Sequence, residues 1–304
     1  KMEGTHMAKV NLNGIFPPIP TPFFNGKVAH QQLAANVEKW SKTGIRGVVV
    51  LGSNGESVYL SEEEKRNVIG TVAKSAPKDL VVIAGSGCES TEATLKLTCD
   101  CANLGAHAAL VVTPHYYSNQ MTGKALMKHF TFIADRSPIP TILYNVPKFT
   151  HITLAPDLVS ALSEHPNIIG IKDSSGNIQL LSEFLNQVGK HFDVLVGTAG
   201  VWFAGLTLGC TGGILALANI TPENCVKIFE LLKKDEFEKA RKLQLKMIPV
   251  NKTITTTYGI SGLKAAMDML GYYGGDPRHP LLPPSEKEKS EIKEILQKAD
   301  ILTG

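Results

Sequence analysis

Eight short apolar runs divide most of this chain into one recurring unit. They are GIFPPIPTPF (Gly14–Phe23), GVVVLGSNG (Gly47–Gly55), LVVIAGSG (Leu80–Gly87), AALVVTPHYY (Ala108–Tyr117), PTILYNVP (Pro140–Pro147), IIGIKDSS (Ile168–Ser175), DVLVGTAG (Asp193–Gly200) and GGILALAN (Gly212–Asn219). Runs this uniformly apolar suit strands buried on both faces of a parallel sheet. Segments such as Ser61–Ala76, Thr91–Ala106 and Gly123–Ser137 lie between them with helical periodicity. Ser61 before three glutamates is a helix start, an N-cap followed by acidic groups on the positive end of the dipole. Strand and helix in strict alternation predict an α/β fold. Eight units favour closure into a (β/α)8 TIM barrel over an open sheet, which would carry one dominant glycine-rich nucleotide turn.

The 304 residues exceed one such barrel of about 250 residues. No strand pattern follows Asn219, so residues 8–222 read as the barrel. Residues 223–304 read as its last helix and a C-terminal helical extension, and KMEGTHM at 1–7 as a vector remnant. A formal charge of +3 with scattered basic residues predicts no nucleic-acid partner. No apolar run approaches the roughly 20 residues of a membrane span. Five cysteines without a CxxC pair predict free thiols in a reducing compartment, cytoplasm or mitochondrial matrix.

Lys172 ends the apolar run IIGIK. A lysine there either snorkels into water or is buried because something uses it. In a (β/α)8 barrel the active site lies at the C-terminal ends of the strands. Ser53, Asn54, Gly55 and Glu56 follow the second strand, Tyr116 and Tyr117 the fourth, and Gly197 and Thr198 the seventh; Tyr144 ends the fifth. All converge on the mouth that holds Lys172, which favours the second reading.

Lysine attacks a carbonyl only as the free amine, and at a pKa of about 10.4 roughly one in a few thousand is free at neutral pH. Burial is expected to raise that fraction, which suits Schiff-base catalysis on a 2-oxo acid. Tyr144 is the candidate proton carrier. The GSNGES turn, with its close-approaching glycines, N–H groups and Ser53 hydroxyl, is the candidate grip on the substrate carboxylate. Each has a plainer alternative: a core tyrosine, an ordinary βα turn, packing aromatics at Tyr116 and Tyr117, and Glu56 as a partner of the turn. No HxH, HxxxH or HExxH spacing occurs, so no metal site is expected. GSGCES at Gly85 lacks the third glycine of a dinucleotide loop.

GSNGES, TPHYY, YNVP, GIKDSSG and GGILALAN together resemble the dihydrodipicolinate synthase / N-acetylneuraminate lyase superfamily of class I, pyruvate-dependent aldolases, from about Asn13 to Leu282. The resemblance implies Lys172 as the Schiff-base lysine, Tyr144 as the proton-relay tyrosine, and Ser53 and Asn54 as the carboxylate-binding and relay pair. It implies Tyr116 as a tyrosine lent by a neighbouring subunit and Ile214 as the apolar residue over the pyruvate moiety. It also implies a homotetramer built as a dimer of dimers, with no cofactor. Where the synthases carry an arginine after the fifth strand this chain has Phe149, with Lys148 beside it. Where the sialic acid lyases carry acidic residues after the seventh strand it has Ala199. These departures make the chain look most like eukaryotic 4-hydroxy-2-oxoglutarate aldolases and fungal 2-keto-3-deoxy sugar acid aldolases. The leading expectation is cleavage of 4-hydroxy-2-oxoglutarate to pyruvate and glyoxylate. A sugar-acid aldolase, a condensing synthase, and a barrel that binds a 2-oxo acid without turnover are the alternatives.

Overall fold

The computed structural model describes residues 10–303, so the KMEGTHM segment lies outside the described residues. Its eight parallel strands are β1 (Gly14–Phe16), β2 (Gly47–Val50), β3 (Val81–Gly85), β4 (Ala108–Val112), β5 (Thr141–Asn145), β6 (Ile168–Asp173), β7 (Asp193–Val196) and β8 (Gly212–Ile214). Each falls inside one of the eight apolar runs. They pair in the order β1-β8-β7-β6-β5-β4-β3-β2. The Arg46 N–H donates to the Ile15 carbonyl, and the Val49 N–H to that of Pro17, each at 2.9 Å. Those bonds join β2 to the β1 segment and close the sheet into a (β/α)8 barrel.

The intervening helices are α1 (His30–Ser41), α2 (Glu62–Ser75), α3 (Thr91–Asn103), α4 (Gly123–Arg136), α5 (Pro156–Ser163), α6 (Ile178–Gln187) and α7 (Trp202–Leu208), with α8 (Pro222–Lys233) after β8. The Ser61 hydroxyl accepts from the Glu64 N–H while the Glu64 carboxylate accepts from the Ser61 N–H, a reciprocal cap worth about 1 kcal/mol.

Alternation along the strands builds two cores. Phe16, Val49, Ile83, Leu110, Ile142, Leu195 and Ile214 fill the barrel interior. The opposite strand faces pack with Trp40, Val68, Phe130, Phe184 and Trp202 from the surrounding helices. Each fully buried aliphatic or aromatic side chain contributes about 1.5–3 kcal/mol.

The structure departs from the sequence reading in three places. The first run stops as a strand at Phe16 because Pro17, Pro18, Pro20 and Pro22 supply no N–H donors. Phe23–Phe24 instead pairs antiparallel with Lys27–Val28 across Asn25 and Gly26, both at positive φ. The eighth run leaves the strand at Ile214 and turns through Ala216–Asn219. The long helical run after Thr221 splits where Asp235 adopts φ 57°, giving α8 and then α9 (Phe237–Val250). A π-helical stretch, Asn251–Thr257, leads into α10 (Gly259–Met269), and α11 (Glu286–Lys298) ends the extension. Among the described residues no helix is long and apolar enough to cross a membrane.

Candidate active site

Two lysines are buried among the described residues, and their surroundings differ in kind. Lys264 is 0% exposed and lies 2.6 Å from a carboxylate oxygen of Glu56. Burial still draws its pKa below the usual lysine value, against the attraction of Glu56. Lys172 is 4% exposed and faces an aromatic ring: its Nζ is 4.1 Å from the centroid of Tyr144. The snorkelling alternative is thereby excluded. Strand alternation explains the placement, since Ile171 packs in the outer core and its neighbour Lys172 therefore points into the barrel.

Tyr144 and Lys172 are register partners across β5 and β6. Tyr144 is 6% exposed and belongs to the interior cluster that includes Ile214, itself fully buried at the end of β8. The tyrosine hydroxyl lies 3.4 Å from the Ser53 hydroxyl. Burial alone would raise the phenol's pKa. The Lys172 charge, with hydrogen bonding from Ser53, Lys172 and Ser174, outweighs burial and holds it below the usual tyrosine value. A phenol poised this way gives up its proton more readily than a free tyrosine, closer to the pH at which a proton carrier works best.

Ser53, Asn54 and Gly55 form a single 3₁₀ turn after β2. It lies between two non-glycine residues in the left-handed region, Leu51 at φ 59° and Glu56 at φ 54°. Such conformations cost about 1–3 kcal/mol each and persist where surrounding contacts enforce them. The Thr21 hydroxyl donates to the Gly55 carbonyl at 2.7 Å. Glu56 is 1% exposed and accepts from Lys264 and from the Arg278 N–H, at 2.6 and 2.7 Å. It is a partner that fastens the turn.

Behind Lys172, the outward-facing Asp173 accepts from the Asn145 amide and the Ser175 hydroxyl, at 2.7 Å each. Burial pushes the Asp173 carboxyl up despite those bonds. The Gly197 N–H donates to the Asp173 carbonyl at 2.6 Å, and a Cβ at Gly197 would stand 2.1 Å from the Ser174 hydroxyl oxygen. Gly197 therefore permits β6 and β7 to approach closely at their C-terminal ends. No motif in the sequence marks Asn145, Asp173 and Ser174 as site residues. The signal available was a polar residue beside the lysine or tyrosine in YNVP and KDSS.

Other candidates stand apart. The Tyr116 ring is 78% exposed and meets Tyr117 edge-on, with centroids 5.0 Å apart. The backbone N–H groups of His115 and Tyr116 both donate to the Glu89 carboxylate. Phe149 is 52% exposed in the helical turn Pro147–Thr150, with Lys148 Nζ 5.7 Å from its ring. Ala199 is buried, and its carbonyl accepts from the Gln244 amide. A cleft of about 380 Å³ in the C-terminal extension, bordered by Asp268 and Lys289, contains no buried amine beside a phenol. The chemistry of the side chains places the candidate site at the barrel mouth.

The dihydrodipicolinate synthetase family model matches residues 11–299. The 4-hydroxy-tetrahydrodipicolinate synthase of Methanothrix thermoacetophila is 37% identical over 295 residues, covering 96% of this chain and 99% of the relative. That of Thermodesulfovibrio yellowstonii is 36% identical, with 96% and 99% covered. The solved structure of a chloride-inhibited dihydrodipicolinate synthase from Acinetobacter baumannii, complexed with pyruvate, matches with a TM-score of 0.91 at 31% identity. The match covers 96% of this chain and 100% of that one.

Proposed function

The chain belongs to the dihydrodipicolinate synthetase family, and on that premise we propose that it joins pyruvate to an aldehyde through an imine on Lys172. The observation that carries this is the buried amine of Lys172, 4.1 Å from the ring centroid of its register partner Tyr144. Pyruvate-bound relatives support the choice of 2-oxo acid.

In the proposed reaction the Lys172 amine adds to the carbonyl carbon of pyruvate, and the carbinolamine then loses water to give an iminium. Tyr144 donates the proton that converts the leaving hydroxyl to water, and Ser53 relays protons to and from the phenol. Backbone N–H groups and the Ser53 hydroxyl of the Ser53–Gly55 turn hold the pyruvate carboxylate, and Ile214 covers the methyl side. The Tyr144 phenolate then takes a methyl proton to give an enamine, whose carbon attacks the aldehyde carbon as Tyr144 passes that proton to the aldehyde oxygen. Water then releases the product from Lys172. The reverse sequence is aldol cleavage, so one site serves both directions. Tyr116, exposed here, is proposed to complete the proton path in a neighbouring copy.

The sequence alone favours cleavage of 4-hydroxy-2-oxoglutarate. The relatives' shared name moves the condensing synthase ahead of it. Their product's carbon skeleton and ring nitrogen imply a four-carbon amino-acid aldehyde as pyruvate's partner. Cleavage stands as the second reading because Phe149 occupies the position where the synthases carry an arginine.

The deciding experiment supplies pyruvate with aspartate semialdehyde in one assay and 4-hydroxy-2-oxoglutarate alone in another. Consumption of pyruvate in the first, lost in Lys172→Ala, supports condensation. Pyruvate release only in the second moves the chain to the cleaving aldolases. Inactivity in both contradicts the proposal.

A further inference from the structure

The buried pair Lys264–Glu56 joins residues from opposite ends of the fold. Lys264 sits in α10 of the C-terminal extension, whereas Glu56 ends the turn that carries Ser53 and Asn54. Both side chains are at most 1% exposed, and their 2.6 Å contact is supplemented by a 3.1 Å bond from Lys264 to the Asp276 carbonyl. The second Glu56 oxygen accepts from the Arg278 N–H. Both cations flank one aromatic ring: Lys264 Nζ is 4.4 Å, and Arg278 Cζ 4.3 Å, from the Phe23 centroid.

A pair this buried is a poor device for stability alone. Desolvating two charges cancels most of their attraction, and apolar residues of similar volume often serve as well. Its placement points to a different role. Glu56 holds a left-handed backbone conformation directly after Gly55, and both carboxylate oxygens are tied to the extension. Next to it, the Thr21 hydroxyl holds the Gly55 carbonyl. Ser53 and Asn54 thus lie between the end of β2 and a segment, Gly55–Glu56, fastened at both residues.

We propose that Lys264 is a positioning residue for the pyruvate-binding turn: through Glu56, the C-terminal extension sets where Ser53 and Asn54 meet the substrate carboxylate. The proposal rests on the functional reading above and adds to it a structural reason for the extension.

The test compares wild type with Lys264→Met, Glu56→Gln and the double variant, which removes both charges and guards against a single variant that does not fold. One readout is the pyruvate concentration giving half-maximal borohydride trapping on Lys172. The other is amide hydrogen exchange across residues 52–56, which needs no substrate. The expected result is a half-saturation raised by about ten-fold or more, with faster exchange in the turn. Both should persist in the double variant even where its melting temperature returns to that of wild type. A double variant with wild-type half-saturation and wild-type exchange would overturn the proposal and leave the pair as mutual charge compensation. If pyruvate does not trap on the wild type, the imine reading fails, and exchange in the turn alone decides the positioning role.

Discussion

Tyr144 and Lys172 face each other across β5 and β6 as register partners, with the lysine nitrogen 4.1 Å from the tyrosine ring centroid. The pairing places a proton carrier beside the proposed nucleophile on two rigid strands, so neither side chain depends on a mobile loop for its position. The lysine charge also holds the phenol's pKa below its ordinary value, against burial.

If Tyr144 moves protons in the proposed sequence, Tyr144→Phe should lower kcat by about 100- to 10,000-fold. Lys172 should still be trapped by borohydride with pyruvate, though more slowly. Steady-state rates and intact mass measure the two effects, and an unchanged kcat would remove Tyr144 from the proton path.

Gly197→Ala tests the close approach of β6 and β7. Its Cβ would meet the Ser174 hydroxyl and, at 2.6 Å, the Asp173 carbonyl. The backbone oxygen cannot swing aside as a side chain would. A loss of about 1–3 kcal/mol in urea denaturation is expected, together with weaker pyruvate capture as Ser174 is displaced.

Much of the fold was legible because strands buried on both faces read as uninterrupted apolar runs, and a lysine at the end of one stands out. The Tyr144–Lys172 register was not legible, since pairing between distant segments leaves no local periodicity. The Glu56–Lys264 bond spans 208 positions and carries no motif. The Phe23–Val28 hairpin leaves no readable alternation because each strand has only two residues. NKTITTT, rich in β-branched threonine, gives no sign that it will form a π-helical turn.

Glu64 gives the protein an acid-sensitive contact. Hydrogen bonding from Arg278 leads the effects that lower its pKa from 4.5 to about 2, while partial burial opposes them. A carboxyl depressed in the folded state contributes stability above its unfolded pKa and loses it as pH falls through the folded value. Solvent screening limits the contribution to about 1 kcal/mol. Glu64→Gln keeps a side chain able to complete the cap at Ser61 but removes the titration. The melting-temperature gap between wild type and variant should be full above pH 4.5 and close as pH approaches 2. A gap that does not change with pH would contradict the assignment.

Phe149→Arg asks what selects the aldehyde. If the missing cation limits capture of an amino-acid aldehyde, the variant should raise kcat/KM for condensation with aspartate semialdehyde and leave pyruvate trapping unchanged. No gain would indicate that Lys148, beside Phe149, already supplies the charge.

The most direct test is borohydride reduction of the protein in the presence of pyruvate, followed by intact-mass and peptide analysis. The account predicts one stable adduct, carried by Lys172 and absent from Lys172→Ala, with Lys264 unmodified in its ion pair with Glu56. A wild-type protein that stays unmodified, or an adduct on a different lysine, would contradict it.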